Sequence, residues 1–584
     1  MKNSIFSKLI LIKILLFNFT LQVNSEIIPI TFGNSSKHLP TSTKSKVSGK
    51  DDGTLMCWLA SSNMGSIHIQ KIDMDGQLQW GEEGIVIDTE LGLSFDPDSD
   101  YPMIYSDNLG GALVIYGKDF YSSREIYVAK IYFNGIPSRS PVCISSHTGG
   151  YNFSATSALT NDNSIDASWE NFDDGDFNIY AQKINLDGDV LWNDGEEVAV
   201  CRESHDQRKP TITCDGSNNV VIAWLDDRNS YDKPEFGFDL YANRLDKDGN
   251  YTHFSNKGKL IFSYYDEQQR ISFDKTSNIK KLNSINSDNE RKVIFYNHNL
   301  VSSDNNSVIV AIDKWYLDVD SDIKIFKINE DLDFVWDFNI QARSFQKNPL
   351  IASDNNNGAY IFWNDSRNEE NAIYGIGLDS YGRIIMGQEG GIKISCDKRK
   401  DSFERILPSH MNQSGIYSGK SKIHFSWTTL ENNNLYVSGI NLFSRTEVCK
   451  SAVEIQDNIA NGEVTSISTQ NEDVVVIFKM NNNIFISMAL RDKSNDLTNK
   501  ISINNFPNPF NPITKISFNI PKSGHVELAV YDISGREIES LVNEFKTAGS
   551  YSVNFDGGLL SSGVYFYRIE MNGWIETKRM TLIK

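Results

Sequence analysis

The segment from Pro210 to Gly249 reads PTITCDGSNNVVIAWLDDRN, then a loop, then DLYANRLDKDG, and the chain repeats this design. From Pro349 it reads PLIASDNNNGAYIFWNDSRNEENAIYGIGLDSYG. In both copies a proline opens a short alternating segment, an Asp/Asn/Gly cluster turns the chain, and an apolar run ends in Trp. Asp follows at Trp plus two (Asp226, Asp365) and Arg at Trp plus four (Arg228, Arg367). The Pro-to-Trp interval is 14 residues in both, and Pro102 to Tyr116 keeps it with Tyr in place of Trp. A unit this small cannot bury both of its faces alone, so it must stack on copies of itself.

Eight copies fall between residues 26 and 500. Their apolar strands are Leu55–Trp58, Ala112–Tyr116, Ile165–Trp169, Val220–Trp224, Val308–Ile312, Ala359–Trp363, Ile423–Trp427 and Val474–Phe478. Each is β-branched or aromatic and preceded by turn residues. A second strand follows in most copies, for example Ile67–Ile72, Ile126–Tyr132, Ile179–Ile184, Leu240–Leu245, Ile323–Ile328, Ile373–Leu378 and Leu435–Ile440. It ends in turns such as Asp75-Gly76, Asn134-Gly135, Asp187-Gly188, Asp248-Gly249 and Tyr381-Gly382, strong hairpin signals. Four residues beyond the Gly a bulky side chain recurs, at Trp80, Trp192 and Met386. The mean repeat is about 59 residues, enough for four short strands. The pattern predicts an all-β chain whose repeats are the blades of a seven- or eight-bladed β-propeller, which leaves only short, protected sheet edges. Residues Ser255–Arg291, rich in Ser, Asn and Lys, read as a long surface loop inserted in the fourth unit.

The two ends differ from the repeats. Residues 1–25 read as a secretory signal: Lys2 and Lys8 precede an apolar run from Leu9 to Phe19, with Val23-Asn24-Ser25 as a cleavage site. That run is too short to span a bilayer, and no later segment is long enough, so no transmembrane span is expected in the mature chain. Residues 501–584 carry strand-like segments at Ile513–Ile520, Val526–Asp532, Tyr551–Phe555, Val564–Glu570 and Thr577–Leu582, with hairpin turns at Ser534-Gly535 and Asn572-Gly573. They predict a small immunoglobulin-like β-sandwich.

Both regions resemble known families. The repeats resemble the degenerate propeller units of large secreted bacterial proteins, through Trp224/Asp226/Arg228, Trp363/Asp365/Arg367 and Ile179-Tyr180-Ala181-Gln182-Lys183-Ile184. Residues 501–584 resemble the type A C-terminal sorting domain of the type IX secretion system, and the related immunoglobulin-like domain of flagellar hook-capping proteins. The likeness runs through Phe506-Pro507-Asn508-Pro509-Phe510-Asn511-Pro512, Val530-Tyr531-Asp532, Gly535-Arg536, Ala548-Gly549, Gly563-Val564-Tyr565-Phe566-Tyr567-Arg568 and Lys578-Arg579-Met580 to Lys584. It implies recognition by the type IX machinery after periplasmic entry, passage across the outer membrane, and often removal of the domain.

Composition narrows the function classes. A net charge of −20 argues against nucleic acid as a partner, which requires a basic surface to displace counterions. Six cysteines in 584 residues do not make a disulfide scaffold. Cys143, Cys201, Cys396 and Cys449 follow the last strand of their units, on different blades and so too far apart to pair. Cys201 and Cys214 are the one pair that adjacent strands bring within reach. Repetition of the W-x-D-x-R set reads as structural: Asp and Arg pair bidentately at a strand end and tie one blade to the next. The acidic loops Asp96-Pro97-Asp98-Ser99-Asp100 and Asp173-Asp174-Gly175-Asp176 do not match the EF-hand and read as solvated. Gly415 to Ser421 falls one residue short of a phosphate-binding loop. The sialidase box Ser-x-Asp-x-Gly-x-Thr-Trp is absent, as are HExxH, paired CxxC and Gly-x-Ser-x-Gly. No catalytic, cofactor-binding or metal residue is assigned, and no cofactor is expected. The sequence thus reads as an exported binding or interaction platform for extracellular protein or polysaccharide. The alternatives are a secreted glycan hydrolase with carboxylates on propeller loops, and a structural surface-layer component.

Overall fold

The computed structural model describes side chains over most of residues 41–394 and 503–584. For strands Ile27–Pro29 and those between Ile416 and Ala489 it describes the backbone. The signal segment, residues 93–101 and residues 264–292 lie outside the described residues, as do Cys396, Cys449 and the two expected turns at 534–535 and 572–573. The chain divides into two compact units, 1–490 and 491–584.

Among the described residues the first unit holds eight antiparallel meanders. In the first, Lys37–Val47, Lys50–Ala60, Ser66–Ile72 and Ile85–Thr89 pair in sequence order. The second runs Met103–Ser106, Ala112–Asp119, Arg124–Ile131 and Val142–Cys143. The third runs Tyr151–Leu159, Ile165–Asp173, Asp176–Ile184 and Val198–Cys201, joined to the second by one parallel bridge, Tyr151 to Arg124. The fourth holds Gln207–Cys214, Val220–Asp226, Asp239–Leu245 and Lys259–Phe262, and the fifth Val293–Ser302, Val308–Tyr316, Asp320–Ile328 and Phe334–Asn339. In the sixth, Gln346–Ser353, Ala359–Asp365 and Ala372–Leu378 are followed by two short segments, Ile384–Met386 and Ile392–Lys393, both paired to the third strand. The seventh is Ile416–Ser418, Lys422–Thr428, Leu435–Asn441 and Val453–Gln456. The eighth has three late strands, Glu463–Gln470, Asp473–Met480 and Asn483–Ala489, and takes its fourth, Ile27–Pro29, from the start of the chain. The first strand of each sheet lies against the first strand of the next, and Glu463–Gln470 lies against Lys37–Val47.

All eight expected apolar strands are therefore the second strands of these sheets. One expectation needs correcting. The segment Ser255–Arg291 is not loop from its start, because Lys259–Phe262 is the fourth strand of the fourth sheet. Its Leu260 pairs with Tyr241 and its Phe262 is buried, a signal overridden by the polar residues around it.

Stacking buries the repeats' apolar residues between sheets. Ile179, Ala181, Trp192, Ile212, Val220, Ile222 and Trp224 fill the space between the third and fourth. Ile309, Ala311, Ile325, Ile361, Trp363 and Ile376 fill that between the fifth and sixth. A buried basic residue in the third strand secures five sheets in a row. Lys130 bonds Asp107 at 2.6 Å in its own sheet and the Leu186 carbonyl of the next at 2.8 Å. Lys71 reaches Asp52 and the carbonyl of Gly110, Lys183 reaches Asp162, Arg244 reaches Asp215 and the carbonyl of Glu330, and Lys327 reaches Asp304 and the carbonyl of Ser380.

A second device appears at alternate sheets. Trp80, Trp192 and Trp336 donate their indole N–H groups to the carbonyls of Phe133, Lys247 and Ser380 in the next sheet's hairpin. Gly135, Gly249 and Gly382 of those hairpins sit at φ of 82°, 84° and 78°, where a Cβ would come within 2.9 Å of the indole. The Gly of the turn is thus required twice, by its left-handed backbone and by the ring beneath it.

The second unit is a sandwich of two antiparallel sheets. Ser502–Phe506, Ile513–Ile520 and Gly549–Asp556 form one; Glu537–Lys546, Gly524–Tyr531, Gly563–Met571 and Trp574–Leu582 form the other. Ile503, Phe510, Ile516, Phe518, Val526, Leu528, Val530, Phe555, Tyr567, Ile569, Met580 and Leu582 make its core. The sequence pattern missed two edge strands, Ser502–Phe506 and Glu537–Lys546. Glu537–Lys546 contains no fully buried residue, so it carries little of the alternation that marks a half-buried strand.

Candidate functional site

The first strands of the third to sixth sheets each carry a bulge near their starts, and Ser154, Lys209 and Asn348 within them have φ of 50°, 52° and 54°. The prolines that open the repeat, Pro210 and Pro349, follow two of these residues. They sit where the ladder is already interrupted, which is what a proline in a sheet requires. The freed backbone N–H groups are taken by a carboxylate one residue past the Trp position of the preceding sheet. Glu170 accepts from Lys209 N at 2.9 Å, and Asp313 from Asn348 N at 3.0 Å.

At the third sheet this common device is elaborated. The second strand turns Asp166, Ser168, Glu170 and Phe172 toward the fourth sheet. The matching positions are Leu113, Ile115 and Gly117 in the second sheet and Val221, Ala223 and Leu225 in the fourth. Where the two flanking sheets place Leu113, Ile115, Val221 and Ala223, the third therefore places Asp166 and Ser168, while Glu170 has an acidic counterpart in Asp313 of the fifth. Asp166 is 0% exposed and neither carboxylate oxygen has a hydrogen-bond partner. Burial pushes its carboxyl up to about 7, against the pull of Lys183. Ser168 donates to the Tyr180 carbonyl. Glu170, also buried, accepts from Ser154 Oγ at 3.0 Å and from Arg208 Nε at 3.1 Å.

The column ends in aromatics. Tyr151, Phe172 and Phe177 are direct cross-strand neighbours, and Tyr151 and Phe172 are each 37% exposed. Phe172 and Phe177 ring centroids are 4.8 Å apart, and Tyr151 stacks on Phe153 at 6.2 Å. The guanidinium of Arg208 lies 3.6 Å over the Phe177 ring, with Nη1 4.0 Å from Asp206 Oδ2. The side chains of Arg208 and Asp206 are 36% and 34% exposed. Asp206 is fixed in turn, because its Oδ1 accepts from Phe177 N and its backbone N–H bonds Asp227. The result is an aromatic surface bordered by one donor group and one acceptor group.

A second cluster lies between the first and second sheets. Tyr116 donates to Asp88 at 2.8 Å, Lys118 bonds the same carboxylate at 2.9 Å, and Tyr127 donates to Glu125 at 2.8 Å. Burial first, and then the adjacent carboxylates, push both phenols well above their ordinary range. They remain protonated, which suits a hydrogen-bond donor and not a nucleophile.

The repeated W-x-D-x-R residues are structural. Arg228 bonds Asp226 through Nε at 2.8 Å and through Nη2, and Trp224 Nε1 donates to the same aspartate. Arg367 pairs with Asp365 at 3.0 and 2.5 Å, with Trp363 donating likewise. Arg228 also reaches Cys201 of the preceding sheet, whereas Arg367 reaches Gly390 within its own. Cys201 and Cys214 do not pair: both are free thiols. Cys201 ends the outer, fourth strand of one sheet, and Cys214 ends the first strand of the next, at the opposite sheet edge. Cys143 and Cys201 lie within fourth strands and not after them. Burial pushes the Cys201 thiol up to about 12 and that of Cys214 to about 11. Asp173 and Asp176 flank a hairpin. Among the described residues no group of three His, Cys, Asp or Glu side chains is placed to hold a metal ion. Ile416–Ser418, from the phosphate-loop-like stretch, is a strand. Asp166, Arg208, Phe172 and Phe177 were not singled out from sequence. Aligning these copies on their Trp would have set Asp166 against Leu113 and Val221, and Ser168 against Ile115 and Ala223.

The second unit identifies a class. Residues 504–584 match the secretion system C-terminal sorting domain, Por_Secre_tail. This domain marks proteins exported by type IX secretion to the cell surface or the extracellular space. The chain is thus an exported protein whose tail engages the type IX machinery. Among the described residues no helix is long and apolar enough to cross a membrane.

Solved structures similar to the chain include a puromycin hydrolase (10% identity, TM-score 0.41), of which the chain spans 58% with 75% of its own length. They also include a polysaccharide lyase, ulvan lyase (9%, TM-score 0.40; 74% of this chain, 96% of that one). PorZ, a surface component of the type IX system of Porphyromonas gingivalis, is a third (11%, TM-score 0.25; 91% and 74%). Likenesses at these scores define neither a family nor an activity. No curated protein matches the sequence.

Proposed function

We propose that residues 26–500 form one closed β-propeller of eight blades, and that it works outside the cell as a binding platform delivered by residues 501–584. Closure is supported by Ile27–Pro29, which completes the eighth sheet, and by the contact of that sheet's first strand with the first sheet. Removing strand edges in this way suits a protein exposed to the exterior.

The observation that carries the binding reading is the polar column of the third sheet. Asp166, buried with neither carboxylate oxygen bonded, and Ser168 occupy positions that the flanking second and fourth sheets fill with Leu113, Ile115, Val221 and Ala223, at a cost in stability, and with Glu170 they lead to half-exposed aromatics. Such a departure from a repeat's own packing rule is expected where function overrides stability. The test is a screen of the full chain against extracellular glycans and surface proteins. Retention of a defined ligand supports the platform, and a blank across both classes contradicts it.

A second reading, a glycan hydrolase, is favoured by the raised Asp166 carboxyl. Against it, Asp166 is sealed between sheets and the Glu170 oxygens are taken by Ser154, Arg208 and Lys209. Release of reducing sugar by the purified chain, lost on Glu170→Gln, is the result that would establish it.

A further inference from the structure

We infer that the surface made by Tyr151, Phe172, Phe177, Arg208 and Asp206 binds an uncharged saccharide, stacking a sugar ring on the aromatics and holding a pair of hydroxyls between Arg208 and Asp206. This rests on the reading of the propeller as a binding platform. The chemistry follows from what each group still offers. Two half-exposed rings that are direct cross-strand neighbours offer apolar area for the C–H face of a pyranose. Arg208 spends Nε and Nη2 on Glu170. Among the described residues its Nη1 has only the 4.0 Å approach of Asp206 and keeps donors for an incoming oxygen. Asp206 uses Oδ1 on Phe177 N, which leaves Oδ2 as an acceptor. One donor and one acceptor about 4 Å apart, beside exposed aromatic rings, match two adjacent hydroxyls and not a carboxylate or sulfate.

Electrostatics points the same way. The charge of Arg208 is matched by Glu170 and opposed by Asp206, while Asp176 and Asp227 hold the backbone of His205 and Asp206. The chain as a whole carries −20. An anionic glycan would have to approach a positive group that is already neutralised, within a negative surround.

The test is calorimetric titration of the full chain with neutral hexasaccharides (cello-, xylo-, manno- and laminari-) and with oligogalacturonate and a heparin hexasaccharide. The inference predicts binding to at least one neutral probe. Tyr151→Ala, Phe172→Ala and Asp206→Asn should each weaken it at least tenfold, with thermal unfolding showing each variant folded. Tyr151 and Phe172 are half-exposed, so at least these two variants keep the core. Preference for the anionic probes would overturn the neutral assignment and leave the platform standing. Neutral binding unmoved by Tyr151→Ala and Phe172→Ala would overturn this site alone. Failure of every glycan, with a surface protein captured instead, would overturn the saccharide assignment and again spare the platform. Failure of all probes and all proteins would overturn both.

Discussion

The indole Nε1 of Trp224 lies 2.8 Å from Oδ2 of Asp226, so the aspartate two residues on satisfies a donor that burial would otherwise strand. Trp363 and Asp365 repeat the relationship at 3.0 Å. Where the second residue is Ala60 or Asn171, the indoles of Trp58 and Trp169 have no partner. The W-x-D-x-R motif is thus a closed set in which the carboxylate holds an indole and a guanidinium together. Burial draws the Asp365 carboxyl up, but bonds from Arg367, Trp363 and Ser344 outweigh it and hold the group below its ordinary value. Asp226→Ala should destabilise the fold by about 3–5 kcal/mol, because it strands a buried indole and a half-buried guanidinium together. Urea denaturation measures this; a loss below about 1 kcal/mol would contradict it.

The buried pair Lys130–Asp107, with side chains 3% and 2% exposed, predicts an asymmetric double-mutant cycle. Lys130→Met alone leaves an unpaired buried carboxylate and should cost about 3–5 kcal/mol. Adding Asp107→Leu should recover a large part of that loss, although Asp107 also accepts from Leu109 N and Gly111 N. Additive losses in the double variant would show that the ion pair is not the coupling element.

Asp166 gives a prediction in the opposite direction. Burial pushes its carboxyl up to about 7 from the ordinary 3.8, so the native state binds the proton more tightly than the unfolded chain. Stability from this group is therefore lost as pH rises from about 4 to about 7, by an amount on the order of 4 kcal/mol. Asp166→Val should raise the melting temperature, more at pH 8 than at pH 5. Equal shifts at both pH values would argue that the carboxyl is already ionised without penalty.

His298 titrates the other way. It is buried and bonds the Ala223 carbonyl at 3.2 Å, and burial pushes its imidazole down to about 4. The unfolded state binds this proton first, so its contribution is lost as pH falls from about 6.5 to about 4. His298→Gln should flatten that part of the pH–stability curve. A curve unchanged over pH 4–6.5 would contradict the assignment.

Much of the framework was legible because a repeat samples the same physics many times. Eight Trp-position strands and their turn glycines can be read from period-two alternation and Asp-Gly signals alone. What failed to register was set by tertiary context. Lys259–Phe262 is four residues within a polar stretch, and Glu537–Lys546 is an edge strand with little to alternate. Trp336 escaped notice although it does for Ser380 what Trp192 does for Lys247. Lys71, Lys130, Lys183, Arg244 and Lys327 look like solvent-facing charges in a strand, and only stacking makes them buried ties. The candidate surface was least visible, since Arg208, Phe172 and Phe177 come from two sheets and acquire meaning only when Arg208 is laid over Phe177.

Export by the tail is tested most directly by the intact mass and cell fraction of the native protein, with and without residues 501–584. The account predicts that the complete chain reaches the cell surface or medium, beginning near Glu26, while the truncated chain folds but stays in the periplasm. Equal export of the truncated chain would contradict it, and would make the C-terminal sandwich a structural module of the propeller and not its address.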